Sequence, residues 1–126
     1  MHQNDIIIRD LNLKDLIVDN KGKINITKFE NAKFGVKDCL NGCLTNNEKQ
    51  ASLVPEIIDG FNHGKAVDWY LLGTLIYEMI IGVTPYYSNN SSEHISNIMN
   101  SKLKITKNLS PIAKDIIIKL LNRNPS

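Results

Sequence analysis

The chain has 126 residues, 42% of them apolar, which suits one globular domain with a modest core and argues against a disordered chain. Fifteen basic and thirteen acidic residues leave a formal charge of +2, and the lysines are scattered, so composition favours neither a nucleic-acid partner nor a membrane partner. The only cysteines, Cys39 and Cys43, lack a second pair to complete a zinc site and are interpreted as reduced thiols. Because the first residues lack the pattern of a secretory signal, we expect a cytoplasmic location.

The first predicted element is a small β-hairpin. Residues 16–18 and 24–27 are short runs rich in β-branched side chains, and the Asp, Asn and Gly at 19–23 favour a turn between them. The polar segment that follows, about 31–52, shows neither a helical nor a strand period, so it is predicted to be a long loop.

Three helices are predicted after this loop. Apolar residues surround the whole axis of the segment from Lys65 to about Ile81, which predicts a helix buried on all sides, with Trp69 and the tyrosines in the core. A short amphipathic helix is predicted from Ser92 to about Lys102. Ser110-Pro111 then supplies an N-cap and a first-turn proline for a helix whose proposed inner face is Ile112, Ile116, Ile117, Leu120 and Leu121. The fold class is therefore mainly α with a small hairpin, with no domain boundary within 1–126.

Five ordered matches to a protein kinase run along the chain, and the first is a group of three altered catalytic motifs. Arg9-Asp10, Asp15 and Lys28-Phe29-Glu30 resemble the catalytic Arg-Asp pair, the magnesium-binding Asn and the Asp-Phe-Gly triplet. The second match is Val54-Pro55-Glu56, similar to Ala-Pro-Glu, and the third is the 65–79 helix, similar to the central helix of the AGC group of serine/threonine kinases. The fourth is Pro85-Tyr86-Tyr87, similar to Pro-Phe-Phe, and the fifth is 120–125, similar to a segment whose Arg closes the lobe. The resemblance implies part of the large, C-terminal lobe, without the N-terminal lobe that carries the glycine-rich loop.

The resemblance places Asp10 at the catalytic-base position, where we expect it to be a retained, vestigial residue. Asn12 replaces the lysine that would neutralise the transferring phosphate. Asp15 remains a candidate metal ligand, since a carboxylate suits a hard cation. Lys28, however, replaces the other magnesium-binding Asp. Unit charges about 4 Å apart interact by roughly 4 kcal/mol at an effective dielectric near 20, so a lysine facing a doubly charged ion is opposed by several kcal/mol.

The resemblance also implies structural roles. Asp68 is expected to hold the backbone of the catalytic loop, and Glu56 is expected to pair with Arg123 and anchor the activation segment. Arg9 corresponds to an arginine that pairs with a phosphate in that segment, and Thr45 falls at the position phosphorylated in the AGC group. We therefore predict Thr45 as a phosphorylation site facing Arg9 and Lys33. His2, His63 and His94 have no clustered ligands around them and are assigned no role.

The sequence leaves two candidate functions. A third possibility is a decaying gene product that has no molecular function. The first is a pseudokinase-like binding or scaffold module without phosphoryl transfer, for which no cofactor is expected. The alternative is an incomplete sequence of an AGC-type serine/threonine kinase that transfers phosphate from ATP to protein, for which ATP and magnesium are expected. A protein partner cannot be named from the sequence, and self-association through exposed apolar surface is predicted.

Overall fold

The computed structural model describes residues 1–38, 53–106 and 109–124. These residues form two small antiparallel strand pairs followed by four helices, as the predicted fold class requires. The strands are β1 Ile6–Ile7, β2 Leu16–Val18, β3 Ile24–Ile26 and β4 Lys33–Phe34. The helices are α1 Pro55–Ile58, α2 Ala66–Ile81, α3 Ser91–Asn100 and α4 Pro111–Leu120.

The predicted hairpin is confirmed as the pairing of β2 with β3. Leu16 lies opposite Ile26 and Val18 lies opposite Ile24. The turn is closed by Asp19, whose carboxylate accepts backbone hydrogen bonds at 2.9 Å from the N–H groups two and four residues further on. Gly22 in this turn has a φ of 78°, a left-handed conformation that glycine adopts without steric cost.

The second strand pair, β1 with β4, lies partly within the segment 31–52, for which the sequence predicts a loop. Ile7 lies opposite Lys33, so the chain leaving the hairpin returns beside the strand that leads into Arg9 and Asp10. A two-residue strand is too short to show an alternating pattern, so the sequence carries no sign of it. The pairing brings the segment after Lys28 next to the loop that carries Asp10.

Helix α2 is the centre of the helical part. It ends at Gly82, whose φ of 89° allows its N–H to bond to the carbonyl of Glu78 at 2.8 Å. Helix α2 packs closely against α4 around Gly73. The main core cluster consists of buried residues from α1, α2, α4 and their flanks: Val54, Ile57, Val67, Tyr70, Leu71, Tyr77, Ile117 and Leu121.

The prediction that α2 is buried on all sides is wrong. Trp69, Met79 and Ile80 are exposed by 51%, 56% and 45%. Trp69 is therefore not a core residue, and it contacts the ring of His2 edge-on at a centroid distance of 5.5 Å. An apolar helix surface shows what a helix can bury, but only the neighbouring elements decide which part of that surface is covered.

The last two helices begin near the predicted points. Asn90 caps α3 by accepting hydrogen bonds from the N–H groups of Ser92 and Glu93, and Ser110 caps α4 by accepting one from Ala113. The proposed inner face of α4 is only partly correct, because Ile117 and Leu121 are buried whereas Ile112 is 82% exposed and Ile116 is also exposed. Among the described residues, no helix has both the length and the hydropathy required to cross a membrane.

Candidate functional site

Asp68 holds the loop that leads to Asp10. Its buried carboxylate accepts hydrogen bonds from the backbone N–H of Ile8, at 3.1 and 3.0 Å, and from the N–H of Arg9, at 2.9 Å. This is the contact with the loop backbone that the sequence predicts for Asp68. A carboxylate that accepts several backbone N–H groups forms charge-assisted hydrogen bonds, which are stronger than neutral ones.

His2, which is assigned no role from the sequence, joins the same cluster. Its Nε2 lies 2.7 Å from Oδ2 of Asp68, which is 66 residues away in the chain. The structure thus gives His2 a contact that the sequence does not indicate. A search for clustered ligands could not find the contact, because His2 is one partner of a single distant carboxylate.

Arg9 has an uncommon backbone conformation, with a φ of 65°. Such a left-handed conformation costs roughly 1 kcal/mol or more for a residue with a side chain. The bond from its N–H to Asp68 holds this conformation, and its side-chain Nε donates to the carbonyl of Asn31 at 2.7 Å. The guanidinium thus connects the loop to the segment that follows the hairpin.

Both carboxylate oxygens of Asp10 accept hydrogen bonds from side-chain amides. Nδ2 of Asn12 donates to Oδ1 at 2.7 Å, and Nδ2 of Asn31 donates to Oδ2 at 3.0 Å. Asn31 therefore contacts Arg9 through its backbone carbonyl and Asp10 through its side chain. Sequence reasoning missed Asn31, because it matches no motif and reaches Asp10 across 21 residues.

Asp15 and Lys28 form an ion pair across the mouth of the hairpin. Nζ of Lys28 lies 3.5 Å from Oδ1 of Asp15, and the side chains are 54% and 3% exposed. Oδ1 is buried and has no hydrogen-bond partner among the described residues. The ammonium of Lys28 is the charged group that the structure places beside this oxygen. The carbonyl of Asp15 in turn accepts hydrogen bonds from both the N–H and the hydroxyl of Thr27, each at 2.9 Å.

Two cavities meet at Asp10. The first, of about 370 Å³, is mostly polar and lies between the loop that carries Asp10 and the residues that follow the hairpin. It is lined by Ile8, Asp10, Asn12, Lys14, Asp15, Lys28, Glu30 and Asn31. The other, of about 260 Å³, is lined by Asp10 and by residues of α2 and α3 that include Glu78 and Ile98. A reacting group at Asp10 would therefore be accessible from either cavity.

The predicted ion pair between Glu56 and Arg123 is not formed within the described part of the chain. The guanidinium of Arg123 instead donates to the carbonyls of Ile98 and Ser101, and to that of Asn97 at 3.3 Å. It also lies over the ring of Tyr86, 4.9 Å from the centroid. The last carbonyls of a helix lack partners within the helix, so the end of α3 offers an arginine the acceptors that it needs.

Glu56 lies in α1 without this partner. Burial raises the pKa of its carboxyl above the ordinary value of 4.5. Burial also raises the pKa of Tyr70, a residue of α2 in the core cluster. Both shifts have the same cause, since removal from water disfavours the charged form of an acid.

The predicted phosphorylation site, Thr45, and the two cysteines, Cys39 and Cys43, lie outside the described residues. Arg9 and Lys33, the predicted partners of a phosphate on Thr45, both lie on the described part of the chain, in the loop and in β4. The phosphorylation hypothesis therefore stays a prediction.

Comparisons with known proteins identify the class to which this architecture belongs. The family model for the protein kinase domain matches residues 1–126. The chain therefore belongs to the protein kinase family.

The relatives are kinases of the AGC group. The chain is 41% identical over 123 residues to Protein kinase 2 of Dictyostelium discoideum, with 98% of this chain and 25% of that protein covered. It is 36% identical over 126 residues to cAMP-dependent protein kinase type 3 of Saccharomyces cerevisiae, covering all of this chain and 31% of the relative. It is 33% identical over 125 residues to human RAC-beta serine/threonine-protein kinase, covering 99% and 26%. The chain thus spans about a quarter to a third of their length, which agrees with a partial large lobe.

Active members of this family use ATP and magnesium, and the residues present here do not fit the metal. The family binds magnesium through an Asn of the catalytic loop and the Asp of the Asp-Phe-Gly triplet. Asp15 stands at the first position, but Lys28 stands at the second and directs its ammonium towards Asp15. Within the ranges that the structure describes, no three His, Cys, Asp or Glu side chains come together as a metal site.

Proposed function

We propose that this chain is a pseudokinase-like module of the protein kinase family, which binds a protein partner and does not transfer phosphate. The observation that carries the proposal is Lys28, at the position of a magnesium-binding carboxylate, with its Nζ 3.5 Å from Oδ1 of Asp15. Phosphoryl transfer depends on positioning and electrostatic stabilisation, and the metal ions supply much of both. A cation at a metal-ligand position opposes that chemistry.

The surroundings of Asp10 support the same proposal. Asn12 contributes an amide where a lysine would stabilise developing negative charge, and this amide is directed to Asp10. The second oxygen of Asp10 accepts a bond from Asn31. A substrate hydroxyl would therefore have to compete with two amide donors for the base. Asp68 meanwhile holds the loop in place, so the scaffold is retained better than the chemistry.

A second candidate function is favoured by Asp10 itself. The carboxylate of the catalytic base is present, and it lines both cavities. The chain would then be part of an AGC-type serine/threonine kinase that transfers phosphate from ATP to protein. In that case Asp10 accepts the proton of the substrate hydroxyl, and Asp15 alone remains as a family-position ligand for magnesium.

The two candidates are separated by nucleotide binding and turnover. The purified chain is titrated with a fluorescent ATP analogue with and without magnesium, and incubated with radiolabelled ATP and a basic peptide. We expect neither magnesium-dependent binding nor label in the peptide. The matched control is Asp10→Asn, which should give the same background. Magnesium-dependent ATP binding at micromolar affinity, or peptide labelling that Asp10→Asn abolishes, would establish the kinase candidate instead.

We further propose that exposed apolar residues of α2 let the chain associate with itself. Three apolar side chains of α2 are about half exposed: Trp69, Met79 and Ile80. Exposed apolar surface favours association. Sedimentation velocity over a range of concentrations should show a species larger than the monomer. Ile80→Lys should shift the distribution towards the monomer, whereas Asn100→Lys, at an exposed polar position of α3, should not. A monomer at all concentrations would contradict the proposal.

A cytoplasmic location, and the lack of nucleic-acid and membrane partners, stay predictions from the sequence. No surface of the described residues identifies the protein partner of the module, so the partner must be found by a binding experiment.

A further inference from the structure

The backbone fixes position 28 beside Asp15. The N–H and the hydroxyl of Thr27 both donate to the carbonyl of Asp15, and the β2–β3 pairing places Leu16 opposite Ile26. Residue 28 follows Thr27 directly, so its starting point is set by the hairpin and not by the lysine side chain. A different side chain at position 28 would begin from the same place next to the same carboxylate.

Asp15 requires a cation at this place. Its side chain is 3% exposed, and its buried Oδ1 has no hydrogen-bond partner among the described residues. An ionised carboxylate removed from water is strongly disfavoured unless it is paired. Lys28 provides that charge at 3.5 Å, and because the lysine side chain is half exposed, its long stem reaches Asp15 from the solvent side.

We infer that the ammonium of Lys28 takes the place of a divalent cation as the charge partner of Asp15. Asp15 and Lys28, with a lysine in exchange for the metal ion, are called the exchanged pair below. This inference rests on the proposed function and deepens it, because it gives Asp15 a role other than that of a surviving metal ligand. The site balances its charge internally and binds no divalent cation. Two oxygens from side chains at positions 15 and 28 would instead suit a hard cation, and the hairpin already brings those positions together.

The test measures the binding of manganese in the absence of nucleotide, with electron paramagnetic resonance as the readout. We expect no saturable binding to the unmodified chain at concentrations up to about 1 mM. Lys28→Asp should bind one manganese ion per chain, and the double variant Lys28→Asp with Asp15→Asn should bind it at least roughly tenfold more weakly. One manganese ion bound to the unmodified chain and lost in Asp15→Asn would overturn the inference, and so would a Lys28→Asp variant that folds and binds none.

Thermal unfolding provides a second measurement in case Lys28→Asp does not fold without the cation. Lys28→Met should lower the melting temperature because it leaves Asp15 unpaired, and adding Asp15→Asn to it should restore most of the loss. Lys14→Met, at a lysine that lines the same cavity, is the matched control and should change the melting temperature little. Additive effects of Lys28→Met and Asp15→Asn would show that the two residues are not a pair and would overturn the inference.

These outcomes are distinguishable from those of the proposed function. Phosphate transfer by the unmodified chain would refute the proposed function, even if the chain bound no manganese through Asp15. Manganese binding through Asp15 without any transfer would refute the exchanged pair and leave the binding module intact. The cation measurement contains no nucleotide, so neither result is a consequence of the other.

Discussion

Gly73 of α2 and Leu120 of α4 lie so close together that a Cβ added at Gly73 would fall 2.7 Å from the Cβ of Leu120. Two side-chain atoms of Leu121 would lie 3.2 Å away. A Cβ belongs to the start of a side chain and cannot rotate aside, so the two helices would have to move apart. The glycine in the middle of α2 is therefore explained by helix packing.

The first prediction is that Gly73→Ala destabilises the chain. Overpacking of a core contact typically costs about 1–3 kcal/mol, and this opposes the gain of roughly 1 kcal/mol that alanine brings to a helix interior. We expect a net loss on the order of 1 kcal/mol in urea unfolding. Lys114→Ala, at an exposed position of α4, should change the free energy of unfolding by less than about 0.5 kcal/mol. A more stable Gly73→Ala variant would show that the contact is looser than described.

The second prediction concerns Arg123, whose guanidinium binds the carbonyl end of α3. Arg123→Ala removes three hydrogen bonds and the contact with Tyr86, so we expect a loss of about 2–4 kcal/mol in the free energy of unfolding. Arg123→Lys should recover only part of it, because one ammonium cannot reproduce a planar fork of donors.

The control for Arg123 is Lys114→Ala, which removes an exposed cation from α4 and should have little effect. A second variant distinguishes the acceptors. If Arg123 acted through Glu56, Glu56→Gln would destabilise the chain as Arg123→Ala does. If it acts through the carbonyls of α3, the two substitutions will differ in sign, as argued for Glu56 below.

The third prediction concerns Asp68, which connects α2 to the loop before Asp10. Asp68→Ala leaves the N–H groups of Ile8 and Arg9 without their acceptor, and each buried donor without a partner costs about 1–3 kcal/mol. We expect a total loss of roughly 3–5 kcal/mol by urea unfolding, and a smaller loss for Asp68→Asn, which keeps one acceptor oxygen. Asp115→Ala removes an exposed carboxylate that pairs with Lys119 and should cost less than about 1 kcal/mol. Equal losses for Asp68→Ala and Asp115→Ala would refute this account.

The contrast between Asp68 and Arg123 shows how far the sequence could be interpreted. Asp68 follows from the motif because its carboxylate accepts from two successive backbone N–H groups, so the resemblance transfers the contact as well as the residue. Arg123 does not, because a guanidinium has several donors and can be satisfied by any nearby carbonyls. The motif therefore points to Arg123 but not to the carbonyls that it contacts.

Other features could not be predicted because they depend on distant pairings. The helices and the hairpin have local signals in periodicity, caps and turn residues. The β1–β4 pair, the contact of His2 with Asp68 and the amide of Asn31 on Asp10 have none, since each joins residues about 20 to 66 positions apart. The sequence predicts that Lys28 opposes a metal ion, but its pairing with Asp15 depends on the register of the hairpin.

The last prediction concerns Glu56, whose carboxyl pKa is raised by burial above its ordinary value of 4.5. A raised pKa in the folded state means that protonated Glu56 is favoured by folding, so its contribution to stability is fully present below about pH 4.5 and is lost as the pH rises through the raised value. At pH 7 the ionised carboxylate is therefore a destabilising group. Glu56→Gln, which is neutral at every pH, should raise the melting temperature at pH 7, and the gain should shrink towards zero at pH 4. Glu30→Gln, at an exposed position, should show no such trend. A Glu56→Gln variant that melts at a lower temperature at pH 7 would mean that the carboxylate has a cationic partner, and the ion pair with Arg123 would then have to be reconsidered.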